Sequence, residues 1–142
     1  MRRVFVVEDE GIVAMELKDH LRERSYEVCG HAMSGEVALR QIPDARPDLV
    51  LMDINLGKGI SGLDTAERLW VVIDVPVLFI TAYHNWEIAL PSARNGSFAF
   101  TAKPFDPDVL AANIESTLVR HAAAVARRAG DERSPSVVAG RG

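Results

Sequence analysis

The run Leu49-Val50-Leu51-Met52 is followed at once by Asp53, and this junction limits the folds open to the chain more than any other stretch. Four consecutive apolar residues describe a strand buried on both faces, as in a parallel sheet covered by helices. A carboxylate at the C-terminal end of such a strand stands at the edge where open α/β sheets gather ligands and chemistry. Val4-Phe5-Val6-Val7 repeats the pattern and ends in Glu8-Asp9-Glu10. If the two strands are neighbours, their acids converge and repel one another unless a cation lies among them, and hard oxygen donors suit Mg²⁺.

Between and beyond these strands, helical and strand patterns alternate. Gly11 to about Arg24 carries Val13, Leu17 and Leu21 on one face and charges on the others, an amphipathic helix. A short second strand covers about Glu27 to Ala32 and contains Cys29, a small core residue by type. Ser34 predicts an N-cap for a helix to about Ile42, which Pro43 should end. After the glycine-rich stretch from Gly57 to Gly62, a helix from about Leu63 to Ile73 aligns Leu63, Ala66, Trp70 and Ile73. A fourth strand, Val75 to Ile80, ends in Thr81-Ala82-Tyr83. A fifth, Gly96 to Ala102, alternates with period two and ends in Lys103-Pro104. Pro91 allows no more than a turn or two of helix between His84 and Asn95.

The last helix has a clear start, with Asp106 as N-cap, Pro107 in the first position, and Leu110, Ile114 and Leu118 at helical spacing. Its alanine- and arginine-rich continuation should reach about Ala129, and Gly130 should break it. Asp131 to Gly142 has too few apolar residues to pack and is expected to be disordered. Five alternations of strand and helix without an internal repeat predict a doubly wound parallel sheet. They fill one domain, residues 1–122, with a helix extension and tail over 123–142.

Composition narrows the function. A net charge of −4 and a pI near 5.5 lack the basic footprint of nucleic-acid binding. A single cysteine excludes an internal disulfide and fits a reducing cytoplasm. After Met1-Arg2-Arg3 only four apolar residues precede Glu8, which describes a strand and neither a signal peptide nor a membrane span. The four histidines have no metal-ligand spacing. Gly57-Lys58-Gly59-Ile60-Ser61-Gly62 satisfies a dinucleotide-binding pattern, but it follows the third strand, and a pyrophosphate there would lie beside the acids. A turn is the better reading.

Four strand ends thus carry Glu8 and Asp9, Asp53, Thr81, and Lys103. Phosphoryl transfer needs a nucleophile, a cation, and positioned donors for the remaining charge. Asp53 can be the nucleophile, Mg²⁺ can lie between Asp9 and Asp53, and Thr81 and Lys103 can hold phosphoryl oxygens. Taken alone, each residue has an ordinary structural explanation: a solvated helix start, a turn aspartate, a β-branched strand residue, an exposed lysine. Their order and register favour the shared one.

In Val6-Val7-Glu8-Asp9-Glu10, Leu51-Met52-Asp53, Phe79-Ile80-Thr81-Ala82 and Lys103-Pro104-Phe105 the chain resembles the receiver domain of two-component response regulators, over roughly residues 1 to 122. The resemblance implies a flavodoxin-like (CheY-like) α/β fold, a five-stranded parallel sheet in the order 2-1-3-4-5 with helices on both faces. It implies that Asp53 is phosphorylated by a histidine kinase or phosphotransfer protein, with Mg²⁺ held by Asp9, Glu8, Asp53 and the backbone carbonyl of Asn55. Thr81 and Phe100 would be switch residues, Lys103 the phosphate-binding ammonium, and Ala82 and Tyr83 would border the phosphate's access. Lys103-Pro104 would be a cis peptide.

A narrower likeness, in Asp53-Ile54-Asn55-Leu56 and Val75 to Tyr83, is to receivers of the alphaproteobacterial general stress response and their single-domain relatives; Ile80 and Ala82 depart from their fourth-strand motif. The expectation is a stand-alone phosphorelay receiver in the cytoplasm, monomeric or weakly dimeric, with a downstream protein target and no contact with nucleic acid or membrane. It would be a switch and not an enzyme beyond its own phosphorylation and slow dephosphorylation. The rivals are a receiver-fold binding module independent of phosphorylation, which the intact acids, threonine and lysine disfavour, and a Mg²⁺-dependent aspartyl phosphatase. The latter wants an acid two residues after the nucleophile, where this chain has Asn55.

Overall fold

In the computed structural model residues 1–82 and 98–133 are described, with side chains as far as residue 130. Among them are five strands and four helices: β1 (Arg3–Val7), α1 (Gly11–Glu23), β2 (Glu27–Ala32), α2 (Gly35–Ala45), β3 (Leu49–Asp53), α3 (Gly62–Val72), β4 (Val77–Thr81), β5 (Phe98–Ala102) and α4 (Pro107–Arg133). The strands form one parallel sheet in the order β2-β1-β3-β4-β5.

Period-two alternation divides the side chains of the central strands between two cores. Phe5, Val7, Val50, Met52, Val77 and Phe79 pack against Ala38 and Ile42 of α2 and Ala66, Leu69 and Trp70 of α3. Their neighbours Val4, Val6, Leu49, Leu51, Leu78 and Ile80 face Leu17 and Leu21 of α1 and Leu110, Ile114 and Leu118 of α4. Because both faces are covered, these strands are apolar except at their ends. The indole N–H of Trp70 donates to the carbonyl of Val75 at 2.8 Å, tying the end of α3 to the approach to β4.

Two helix ends differ from expectation. Helix α2 does not stop at Pro43 but runs through it to Ala45. The proline lies in the last turn, where it forfeits little of the ladder, Ile42 just before it is fully buried, and left-handed Arg46 closes the helix by donating its N–H to Ile42. Helix α4 likewise continues through Gly130 to Arg133. One glycine costs about 1 kcal/mol relative to alanine, too little to stop a helix already propagated from Pro107. Cys29 is half-buried and packs at the margin of the α2–α3 core. The expectations for residues 84–95 and for the tail after Arg133 lie outside the described residues.

Candidate phosphoryl-transfer site

The sheet order reverses direction at β1 and β3, since the chain passes from β1 out to β2 and returns to β3 on the other side. Such a switch point opens a crevice at the carboxyl ends of the strands. Val7 pairs with Met52, Asp53 with Ile80, and Thr81 with Ala102, so the residues that end β1, β3, β4 and β5 leave the sheet side by side.

Glu8 is 0% exposed, Asp53 4% and Thr81 1%. Lys103 reaches into this group: its Nζ lies 2.9 Å from Asp53 Oδ2, 3.3 Å from Glu8 Oε1 and 3.9 Å from Glu10 Oε1. The backbone N–H of Lys103 donates to the carbonyl of Thr81 at 2.8 Å, which fixes the lysine beside the end of β4. The Lys103-Pro104 peptide is cis.

Carboxylate oxygens of Glu8, Glu10 and Asp53 all lie within 4.8 Å of one another. Burial, before any neighbouring charge, pushes the Glu8 carboxyl up to about 7; the negative charge of Asp53 adds to this, while the N–H of Glu10 and the ammonium of Lys103 oppose it. Burial acts to lower the pKa of Lys103, but its hydrogen bond to Asp53 and the charges of Asp53 and Glu8 outweigh that and hold it above the usual lysine value. Three carboxylates around one ammonium leave an excess of negative charge, and an all-oxygen donor set of this size fits a hard divalent cation.

Asp9 is not in the three-oxygen cluster. Its Oδ2 turns toward the loop after β3, 2.8 Å from where a side-chain carbon would stand at Gly57. The Asn55 N–H donates to Asp53 Oδ1 at 3.1 Å, and the Asn55 side-chain oxygen accepts the N–H of Gly57 at 3.1 Å, an Asx turn that carries the chain away from Asp53. Phe100 is half-buried and stacks on Phe79, with ring centroids 5.2 Å apart. Ala82 is exposed, and Tyr83 lies outside the described residues.

Glu10 joins the cluster; sequence reasoning counted it among the converging acids but named it neither as a ligand nor as a site residue. It occupies the N-cap position of α1 without capping it, and its carboxylate is directed to the lysine side instead. The clue was its length, since short side chains make better caps. His31, on the neighbouring strand, was also missed; its Nε2 lies 3.0 Å from the carbonyl oxygen of Glu8 and braces the start of the acidic stretch. The dinucleotide reading of Gly57 to Gly62 loses ground here, because carboxylates of Asp9 and Glu36 press on Gly57 and Gly59 where a pyrophosphate would lie.

Residues 4–115 match the response regulator receiver domain family. The chain belongs to that family. Among curated relatives it is 32% identical over 119 residues to the transcriptional regulatory protein PdtaR of Mycobacterium tuberculosis, covering 84% of this chain and 58% of that one. It is 36% identical over 116 residues to the phyllosphere-induced regulator PhyR of Methylorubrum extorquens, covering 81% and 43%. The chain therefore spans about half the length of the curated relatives it matches. Its likeness to PhyR places it near the receivers of the general stress response. Among solved structures it resembles the response regulator TrrA of Thermotoga maritima in complex with Mg(2+)-BeF, with a TM-score of 0.72 and 32% identity over 82% of this chain and 99% of that one. As a receiver domain it is a module of two-component signalling. No helix among the described residues is long and apolar enough to cross a membrane.

Proposed function

We propose that this receiver is a phosphorylation switch whose acceptor is Asp53. The observation that carries the reading is the position of Asp53, almost fully buried at the end of the central strand and in contact with Lys103 inside a pocket of excess negative charge. A carboxylate oxygen of Asp53 attacks the phosphorus of a phosphohistidine on a histidine kinase or phosphotransfer protein. The P–N bond breaks, the imidazole leaves and takes up a proton, and an aspartyl phosphate remains. Bound Mg²⁺ would neutralise the phosphoryl oxygens and would be held by Glu8, Asp9, Asp53 and the carbonyl of Asn55.

Lys103 meets one phosphoryl oxygen with its ammonium, which requires it to exchange its contact with Asp53 for the new group. Thr81, at the end of the adjacent strand, presents a hydroxyl to another. Phe100 stacks two residues before that strand end, on Phe79, so a shift of Thr81 is passed to an aromatic at the rim of the sheet. Ala82 and Tyr83 border the path by which donor and water reach the phosphate. The output is a change in protein-protein contact with a downstream target in the cytoplasm, biased by the added charge.

The test is incubation with Mg²⁺ and a small phosphodonor, followed by intact mass under conditions that preserve acyl phosphates. Wild type gains one phosphoryl group in a Mg²⁺-dependent manner and Asp53→Asn gains none. A wild type that stays unmodified, even with a phosphorylated kinase as donor, overturns the reading in favour of a phosphorylation-independent binding module.

A further inference from the structure

The loop between β3 and α3 is the part of the site that strand pairing does not hold. Two of the groups assigned to the cation depend on it. The carbonyl of Asn55 lies within the loop and has no rotamer of its own, and the carboxylate of Asp9 rests against Gly57. The loop is tied to β4 at its start, where the N–H of Ile54 donates to the carbonyl of Ile80 at 3.1 Å; beyond that point Asn55 N–H donates to Asp53, Gly57 N–H to Asn55, and Gly62 N–H to the carbonyl of Ile54 at 2.8 Å.

One long-range hydrogen bond reaches its apex among the described residues. The N–H of Ile60 donates to Glu36 Oε2 at 3.1 Å, from the first turn of α2, 24 residues earlier in the chain. The same carboxylate fills the space above Gly59, with oxygens 2.6 and 2.8 Å from where a Cβ would stand. Gly59 has φ +83° and Gly57 φ +72°, conformations that favour glycine, so the loop takes a path that lets two carboxylates close on it. The start of α2 is itself seated: a Cβ at Gly35 would lie 2.0 Å from Thr65 Oγ1 and 2.7 Å from Ile60 Cγ1. Glu36 is thus a short arm on a fixed base.

We infer that Glu36 is a positioning residue for the cation site, acting by holding the 57–60 loop at Ile60 and Gly59 and through it the Asn55 carbonyl and Asp9. The inference rests on the switch reading above. An ordinary alternative exists for an acid in the first turn of a helix, which is favourable interaction with the helix dipole. That role depends on charge, whereas the clamp depends on reach.

Two conservative variants of the full chain separate them, with Mg²⁺ alone titrated by calorimetry. Glu36→Gln keeps the reach and an acceptor oxygen; Glu36→Asp keeps the charge and is one methylene short. Glu36→Gln should bind Mg²⁺ within about twofold of wild type, since one exposed charge is worth little. Glu36→Asp should bind about tenfold more weakly, the lower end of what outer-shell partners of metal sites cost. Amide exchange at Ile60 should quicken in Glu36→Asp only. The reverse order, or two variants that bind as wild type does, overturns the clamp while leaving the switch intact. A wild type that binds no Mg²⁺ overturns both.

Discussion

Two charged clusters lie at opposite ends of the sheet, and they are built from similar contacts. At the carboxyl edge Lys103 lies 2.9 Å from Asp53 and 3.3 Å from Glu8, with side-chain exposures of 19%, 5% and 0%. At the amino edge Asp74, just after α3, lies 2.6 Å from Arg128 and 4.0 Å from His121, both on α4, and Asp74 and Arg128 are more than 40% exposed. The first cluster has more acids than cations and is dry; the second sets one acid against one arginine, both wet, with a histidine nitrogen 4.0 Å from the acid. Water screens the Asp74–Arg128 pair, so making or breaking it changes little. In the first, each uncompensated charge is expensive, and that imbalance gives the site a use for a divalent cation.

Removing Lys103 should sharpen the contrast most. Lys103→Ala leaves Glu8 and Asp53 buried and facing each other. In the presence of a chelator it should lose about 2–3 kcal/mol of stability in urea unfolding, somewhat below the usual loss for breaking a buried pair because the lysine is partly solvated. Added Mg²⁺ should return most of the loss, and phosphoryl incorporation should still fall steeply. A loss under about 1 kcal/mol would class this pair with exposed ones and break the comparison.

The second test uses protons. Glu8 titrates near 7 in the folded domain against an ordinary value of 4.5, so the folded state holds the proton more tightly than the unfolded chain. The contribution of Glu8 is therefore most favourable below about 4.5 and is lost as pH rises toward about 7. With a chelator present, the wild type should lose stability relative to Glu8→Gln across that window. Mg²⁺ should flatten the difference, because a cation favours the ionised carboxylate. A gap between the two proteins that closes as pH rises would show that Lys103 outweighs burial at Glu8.

These residues also mark what a sequence can carry. Leu49 to Asp53 and Val4 to Glu8 were legible because burial on both faces requires uninterrupted apolar runs, and the polar residue that ends each run announces the edge of the sheet. The strand order came from resemblance, since periodicity alone does not order strands. Pro43 and Gly130 misled because local propensity was set against helices held by burial or by their own length. The contacts of Glu10 and Glu36 were not legible. An acid at a helix start is favourable whatever it touches, so its pattern does not distinguish a solvated residue from one that faces Lys103 or grips Ile60. The turn of Asp9 toward Gly57 is set by the path of a loop that no periodicity describes.

The smallest effect belongs to the amino edge. Arg128→Ala removes the 2.6 Å contact with Asp74, yet both partners keep much of their hydration, and the long arginine gives back rotamer entropy when released. Helix α4 does not depend on this pair for its place, because Ile114, Leu118 and Ala124 are buried along it. The variant should lose less than about 1 kcal/mol, and the difference should vanish in about 1 M salt, where screening acts within about 3 Å. Mg²⁺ binding and phosphorylation should be unchanged. A larger, salt-resistant loss would mean that the two ends of the sheet obey the same rule, and that burial is not what separates a site from a tether in this domain.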